Sequence, residues 1–324
     1  MLDLTLLHMT SVWPIILVLG PTAGGKTKFA IELAKKLPGG GECICADSMQ
    51  IYRKMDIGTA KPTLTEQAQV PHHLFDLVDA DYEGFSVDTW LELAEQTITE
   101  IRKRKRYPII VGGTNLYIQA LLQGLFDGPE PDLNLRAELE ALASEELRER
   151  LLLIDPPAAE RIHLNDRKRT IRAIEVHQLT GKRISDLQEQ WTSGPIRSDL
   201  YIIGLDYEVP TINGRINARV KIMMDEGLVD EVKQLVEGAG LSRQAAEALG
   251  YRQILDHLSG KLSLDEAVEQ MKIRTRRFAK QQRTWLRRFR SHPNSTWLNA
   301  NEKSPQWLVN EALTSIASSS YLVP

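Results

Sequence analysis

The chain has 324 residues, 42% of them apolar and 26% charged, with a formal net charge of −3. That balance excludes a disordered or fibrous chain and allows one large α/β domain or a core carrying an added module. Two cysteines, Cys43 and Cys45, stand two apart in an apolar run with no further Cys or matched His spacing. They read as a buried reduced pair, and the compartment reads as cytoplasmic.

Residues 1–12 lack the charged start and small-residue cleavage site of a signal peptide, so they are expected to form a disordered extension. The apolar stretch that follows Trp13 is too short to span a bilayer, and no membrane partner is expected. Ile15 to Leu19 reads as a strand and Lys28 to Ala34 as a helix. Between them runs Gly20-Pro21-Thr22-Ala23-Gly24-Gly25-Lys26-Thr27, the pattern G-x-x-x-x-G-K-[ST] in its strand–loop–helix setting. Glycines there let backbone N–H groups converge on phosphate oxygens, and the helix adds the positive end of its dipole. Lys26 supplies a point charge, and Thr27 can place a hydroxyl on magnesium. The loop predicts a phosphate-bearing ligand without saying that it is a nucleotide.

A second strand, Cys43 to Ala46, runs into Asp47-Ser48-Met49-Gln50-Ile51-Tyr52. In open α/β sheets ligands bind beyond the carboxyl ends of strands, so Asp47 is placed beside the phosphate loop. It can hold magnesium, take a proton from a nucleophile, or simply cap a helix. Met55-Asp56-Ile57-Gly58-Thr59-Ala60-Lys61-Pro62 supplies a Gly, a Thr and a Lys in a loop able to cover a phosphate chain. Pro108 to Val111 forms another strand and leads into Gly112-Gly113-Thr114, either a second anion contact or a tight turn with Thr114 as N-cap. Residues 128–194 carry Pro129, Pro131, Pro156 and Pro157 around helical segments such as Leu135 to Leu153, with no strand candidate. They read as a helical insertion domain. Leu200 to Leu205 resumes the sheet, and helices follow at 211–237, 242–258 and 264–290, the last opened by Ser263 with Glu266 at capping-box spacing. The core is therefore 13–127 with 195–324, an α/β parallel sheet of P-loop NTPase type with a helical C-terminal part.

Basic residues cluster three times. From Lys272 to Arg290 nine cations run without an acid, interleaved with Phe278, Trp285 and Phe289. Arg161, Arg167, Lys168, Arg169 and Arg172, followed by Lys182 and Arg183, form a second group. Both read as a polyanion footprint, offset by acidic surface elsewhere. The third, Arg102 to Arg106, reads as a solvated helix face.

The segments GPTAGGKT, ADSMQIYRKMDIGTAKP, PHHLFDL, VGGTNLYIQALL, NDRKRTIRAIEV and TRRFAKQQRTWLRRF, in order from Ile15 to Phe289, resemble the tRNA dimethylallyltransferase family. DSMQIY with DIGTAKP is much more specific than the phosphate loop. The resemblance implies transfer of a dimethylallyl group from dimethylallyl diphosphate to the N6 amine of the adenine 3′ of a tRNA anticodon, with magnesium as cofactor and diphosphate released. It implies catalytic roles for Asp47, Thr27 and Arg219, with Asp47 the general base and Arg219 approaching the diphosphate from the side opposite the loop. Gly20, Thr22, Ala23, Gly24, Gly25, Lys26 and Thr27 would bind the diphosphate, and Thr27 the metal. The anticodon stem-loop would meet Asp47, Ser48, Met49, Gln50, Thr114 and Arg136 near the reaction. Lys168, Arg169, Arg172, Gly250, Tyr251, Arg252, Lys280, Arg283, Trp285 and Arg287 would contact it further out. Family members commonly carry Ser where this chain has Gly24 or Gly25, and Glu247 departs from the motif before Gly250. A monomer is expected. The alternatives are an adenylate isopentenyltransferase acting on free AMP, ADP or ATP, a small-molecule kinase, and an RNA-binding regulator. The helical insertion and basic helix favour tRNA over the first two, and Lys26, Thr27 and Asp47 together speak against the last.

Overall fold

The computed structural model describes residues 13–126, 128–189, 191 and 196–319; the expectation for residues 1–12 lies outside them. Six parallel strands form one sheet in the order β3-β2-β4-β1-β5-β6. They are β1 (Ile15–Leu19), β2 (Gly41–Ala46), β3 (His72–His73), β4 (Tyr107–Gly112), β5 (Leu200–Asp206) and β6 (Ser295–Asn299). β1 is central, in register with β4 on one side (Val18 with Val111) and β5 on the other (Leu19 with Gly204). The chain leaves β1 for β2, skips a position, and fills it with β4 before crossing to β5. The reversal beside β1 opens a crevice at the strands' carboxyl ends, where the phosphate loop starts.

The helices, in chain order, are α1 (Lys26–Lys36), α2 (Leu64–Gln67), α3 (Val87–Lys103), α4 (Asn115–Gln123), α5 (Leu133–Ala141), α6 (Ser144–Ile154), α7 (Pro156–Arg161), α8 (Arg167–Thr180), α9 (Ile184–Leu187), α10 (Val209–Asp225), α11 (Leu228–Glu237), α12 (Arg243–Ala246), α13 (Tyr251–Leu258), α14 (Leu264–Leu286) and α15 (Pro305–Ser318). β1 and β2 are buried along their whole length, which accounts for their unbroken apolar runs. α1 and α15 cover one face, Phe29, Leu33, Val309 and Ile316 packing on Ile16, Val18, Ile109 and Ile203. Cys43 and Cys45 are buried and unbridged, and burial pushes the Cys43 thiol up to about 12.

The predicted 211–237 and 242–258 helices are each broken. Gly227 (φ 97°) separates α10 from α11, and Gly250 (φ 93°) precedes α13, both in backbone that favours glycine. The predicted 264–290 helix is α14 followed by a 3₁₀ turn over Arg287–Phe289, and Ser263 with Glu266 makes the capping box.

The chain divides into two compact units, one of residues up to 118 together with 198 onward, the other of residues 119–197. The second is helical in its described residues, around Leu139, Leu147, Leu151, Ile171, Ile174 and Val176. The 102–106 run is not simply a solvated face. Arg102 donates to Trp13 O and Asp199 Oδ2 (both 2.7 Å), and Arg104 grips the buried Glu42 with two bonds of 2.9 and 2.7 Å. His73 Nε2 lies 2.7 Å from the same carboxylate. Burial pushes Glu42 up, but the Arg104 and His73 hydrogen bonds outweigh it and hold the carboxyl below its usual range. An acid in a buried strand needs such partners, and the adjacent basic run supplies them.

Candidate active site

The phosphate loop is shaped by its own bonds and by α10. Gly25 takes the left-handed conformation (φ 75°) as N-cap of α1, and Ala23 does so without being glycine (φ 60°). Gly24 N–H closes a turn on Pro21 O at 3.1 Å. A side chain at Gly24 would bring its Cβ to 2.8 Å from Pro21 O, so any larger residue there requires a shifted loop. Arg215 Nε donates to Ala23 O at 2.8 Å while its guanidinium lies over the Tyr207 ring, and Tyr207 OH donates to Gly24 O at 2.8 Å. Neither residue was singled out in the sequence. Each is a polar group on a distant element whose task depends on folding across the loop.

Three charged groups meet here. Lys26 Nζ donates to Gly20 O (3.1 Å) and Pro21 O (3.0 Å). Burial and then the neighbouring Arg219 charge pull its pKa down to about 8, opposed by Asp47. Arg219 is likewise lowered by burial, with Asp47 again opposing, and its Nη2 donates to Thr59 O at 3.2 Å. Asp47 Oδ1 accepts Met49 N–H at 2.9 Å, an Asx turn that fixes the carboxylate just past β2. Two concentrated cations facing one carboxylate suit an anion of more than one charge.

Thr114 resolves the second glycine turn. Its Oγ1 accepts Ser48 N–H at 2.9 Å and lies 3.3 Å from Ser48 Oγ, so it braces the Asp47 loop. Gln50 Nε2 donates to Thr59 O (3.0 Å) and Ala60 O (3.2 Å). Lys61, 9% exposed, bonds Asp56, Asp76 and Tyr52 O, so it holds its loop closed and does not face a phosphate chain. Glu231 was not anticipated. Its carboxylate accepts the N–H groups of Asp56, Ile57 and Gly58 (2.9, 2.7 and 3.1 Å) and the Tyr251 hydroxyl (2.6 Å). A Cβ on Gly58 would lie 2.4 Å from the Tyr251 ring, which explains the glycine.

The remaining predicted residues fall in several places. Tyr251 is wholly buried, a support of the 56–58 loop and not a surface side chain. Gly250 is buried before it, and Arg252 pairs with Glu247 (2.8 Å) and Asp256 (3.3 Å). On α14, Lys280 and the following Arg287 are exposed. Arg283 Nη1 is buried with no partner among the described residues. Trp285 is half-buried, edge-on to Phe289 (4.8 Å) and under the Arg288 guanidinium (5.2 Å). In the helical unit, Lys168 and Arg169 are exposed, Arg169 within 3.2 Å of Asp166. Arg136 holds the fully buried Glu175 with bonds of 2.8 and 2.9 Å, and Arg172 adds one of 2.6 Å.

Among the described residues no group of three His, Cys, Asp or Glu side chains is placed to cage a metal. Magnesium needs no such cage, since it is commonly held by one or two protein oxygens plus substrate phosphates. Thr27 Oγ1, which makes no hydrogen bond among the described residues, is an oxygen that could serve in this way.

A family model described as IPP transferase matches residues 50–289, and one described as isopentenyl transferase matches 13–75. The chain is 48% identical over 294 residues to a tRNA dimethylallyltransferase of Acetivibrio thermocellus, covering 89% of this chain and 92% of the relative. It is 43% identical to that of Halalkalibacterium halodurans, with 89% and 91% covered. The crystal structure of a full-length tRNA isopentenylpyrophosphate transferase from Bacillus halodurans superposes with a TM-score of 0.70 at 40% identity, over 96% of this chain and 97% of that one. A eukaryotic dimethylallyltransferase captured acting on tRNA superposes with a TM-score of 0.77 at 29% identity, over 93% and 77%.

Proposed function

This chain belongs to the IPP transferase family, and from that membership we propose how its residues carry the reaction. The activity is transfer of a dimethylallyl group to tRNA, as in the relatives, and not to free adenylate. The acceptor is the N6 amine of the adenine 3′ of the anticodon, and the donor is dimethylallyl diphosphate.

The observation that carries this reading is the convergence of Lys26, Arg219 and Asp47 at the phosphate loop. The backbone N–H groups of the loop and the two cations hold the diphosphate and take up its charge as the allylic C–O bond breaks. The adenine nitrogen forms the new C–N bond, and its proton passes to the Asp47 carboxylate. Released diphosphate carries the electron pair of the broken bond. Magnesium, which Thr27 would help to hold beside the bound diphosphate, would neutralise leaving-group charge. Unstacking the target base costs a few kcal/mol, which favours an anticodon loop over a duplex. Lys280, Arg283 and Arg287 of the core, and Lys168 and Arg169 of the helical unit, supply the backbone contacts. Arg136 and Arg172 shape the helical unit through Glu175.

Among the described residues no helix is long and apolar enough to cross a membrane. We place the enzyme in the cytoplasm, acting as a monomer. The test is incubation with labelled dimethylallyl diphosphate, magnesium and either unmodified tRNA or AMP. Label enters tRNA with equimolar diphosphate release. Label in AMP alone, or ATP hydrolysis without label transfer, overturns the reading.

A further inference from the structure

We propose that Gln282 is a positioning residue that sets the spacing between the diphosphate cradle and the Asp47 loop. The proposal rests on the transfer reaction above and adds a residue to it. Gln282 lies on α14 between Lys280 and Arg287 and is 2% exposed. Its Oε1 accepts Thr22 N–H at 2.8 Å, and its Nε2 donates to Gly113 O at 3.0 Å. One partner is a backbone donor and the other a backbone acceptor, so the orientation of the carboxamide is determined.

The far side of this bridge is closed as well. Thr114 N–H donates to Ala46 O at 3.2 Å, and Thr114 Oγ1 accepts Ser48 N–H at 2.9 Å. Gly112 lies so close that a Cβ there would fall 2.1 Å from Ala46 O. Thr22, Gln282, Gly113, Thr114 and Ser48 therefore form one bonded course from the phosphate loop to the residue beside Asp47. The leaving group is held at one end and the base at the other. A Cβ at Gly113 would come within 2.4 Å of Gln282 Nε2, so the glycine makes room for the bridge.

An apolar side chain would fill the same space. A buried carboxamide is retained because its two backbone partners would otherwise lose their hydrogen bonds. An ionised Glu could accept from Thr22 but could not donate to Gly113, whereas a protonated one could do both. Position matters steeply here, since misplacing reacting groups by about 1 Å costs about a hundredfold in rate.

The test uses the full chain with Gln282→Met and Gln282→Glu. For Gln282→Met, kcat/KM for dimethylallyl diphosphate falls by about ten- to a hundredfold, while the Kd for unmodified tRNA stays within about twofold of wild type. For Gln282→Glu, binding of inorganic diphosphate with magnesium weakens by about tenfold at pH 8. That ratio to wild type shrinks as pH falls and the new carboxyl is protonated. Unchanged donor kinetics in Gln282→Met, a loss confined to tRNA affinity, or a pH-independent diphosphate ratio in Gln282→Glu each overturns the proposal. If Gln282→Met does not fold, the nearly isosteric Gln282→Glu decides alone. A wild-type protein that binds diphosphate but labels no tRNA sinks the transfer reading, and the diphosphate ratio still decides the role of Gln282.

Discussion

The carboxyl end of the sheet and the helical unit both gather cations, and they treat them in opposite ways. In the helical unit Arg136 and Arg172 close on Glu175, which also accepts Asp132 N–H at 2.9 Å. Burial pushes that carboxyl up, but the arginine bonds outweigh burial and hold it below its usual range. At the sheet, Lys26 and Arg219 form no ion pair within 4.0 Å among the described residues, and burial lowers both. A cation matched inside the fold secures the fold. One held against carbonyls, with its charge poorly solvated, is poised for an anionic ligand. Basic runs that look alike in sequence are sorted by that difference.

The sharpest break in the comparison comes from removing Asp47, the acid that faces Lys26 and Arg219. Asp47→Ala lowers turnover by about 10²–10⁴-fold, the usual weight of a general base, with tRNA affinity little changed. A large loss of tRNA binding with normal turnover would contradict the base role. The matching change in the helical unit acts on stability. Glu175→Ala costs about 3 kcal/mol, the low end for breaking a buried pair because both arginines keep some contact with water. Denaturant unfolding followed in the full chain reads it, and an unchanged midpoint refutes it. The native carboxyl lies below its unfolded value, so its contribution is complete above the ordinary carboxylate range. It is lost as pH falls through the native value.

A smaller effect follows from Lys26. Its pKa of about 8 means that the diphosphate-binding, protonated form is depleted above that pH. Affinity for inorganic diphosphate therefore falls by up to about tenfold per pH unit above 8, and Lys26→Met removes that slope. A wild-type profile that is flat between pH 8 and 10 would show that Lys26 does not hold the anion. The slightest change is in salt dependence. Arg287→Ala reduces the slope of log tRNA affinity against log salt by about one, whereas Arg172→Ala leaves it close to wild type. Equal slopes for the two variants would erase the distinction between matched and unmatched cations.

Much of the sheet was legible because its strands are buried on both faces and read as apolar runs. Those at β1, β2, β4 and β5 stood out. β3, two residues long, and β6, with the polar sequence Ser-Thr-Trp-Leu-Asn and partial exposure, give no such signal. They are strands because β2 and β5 offer open edges. The phosphate loop, Asp47 and Thr114 were legible from local chemistry, since each sits at a strand end. Glu231, Tyr207, Arg215 and Gln282 were not. Each is an ordinary polar residue in or beside a helix until the fold lays a loop across it, and the bond from Gln282 to Thr22 joins positions 260 apart. The basic runs misled for a related reason, because sequence shows the cations without the buried Glu42 and Glu175 that engage several of them.

The most direct test of the distinction is titration of inorganic diphosphate with magnesium into wild-type protein, Arg219→Met and Arg136→Met in the absence of tRNA. Arg219→Met should bind at least about tenfold more weakly, the loss of one charge-assisted contact, and Arg136→Met within about twofold of wild type. Equal losses in the two variants, or none in Arg219→Met, would contradict the account.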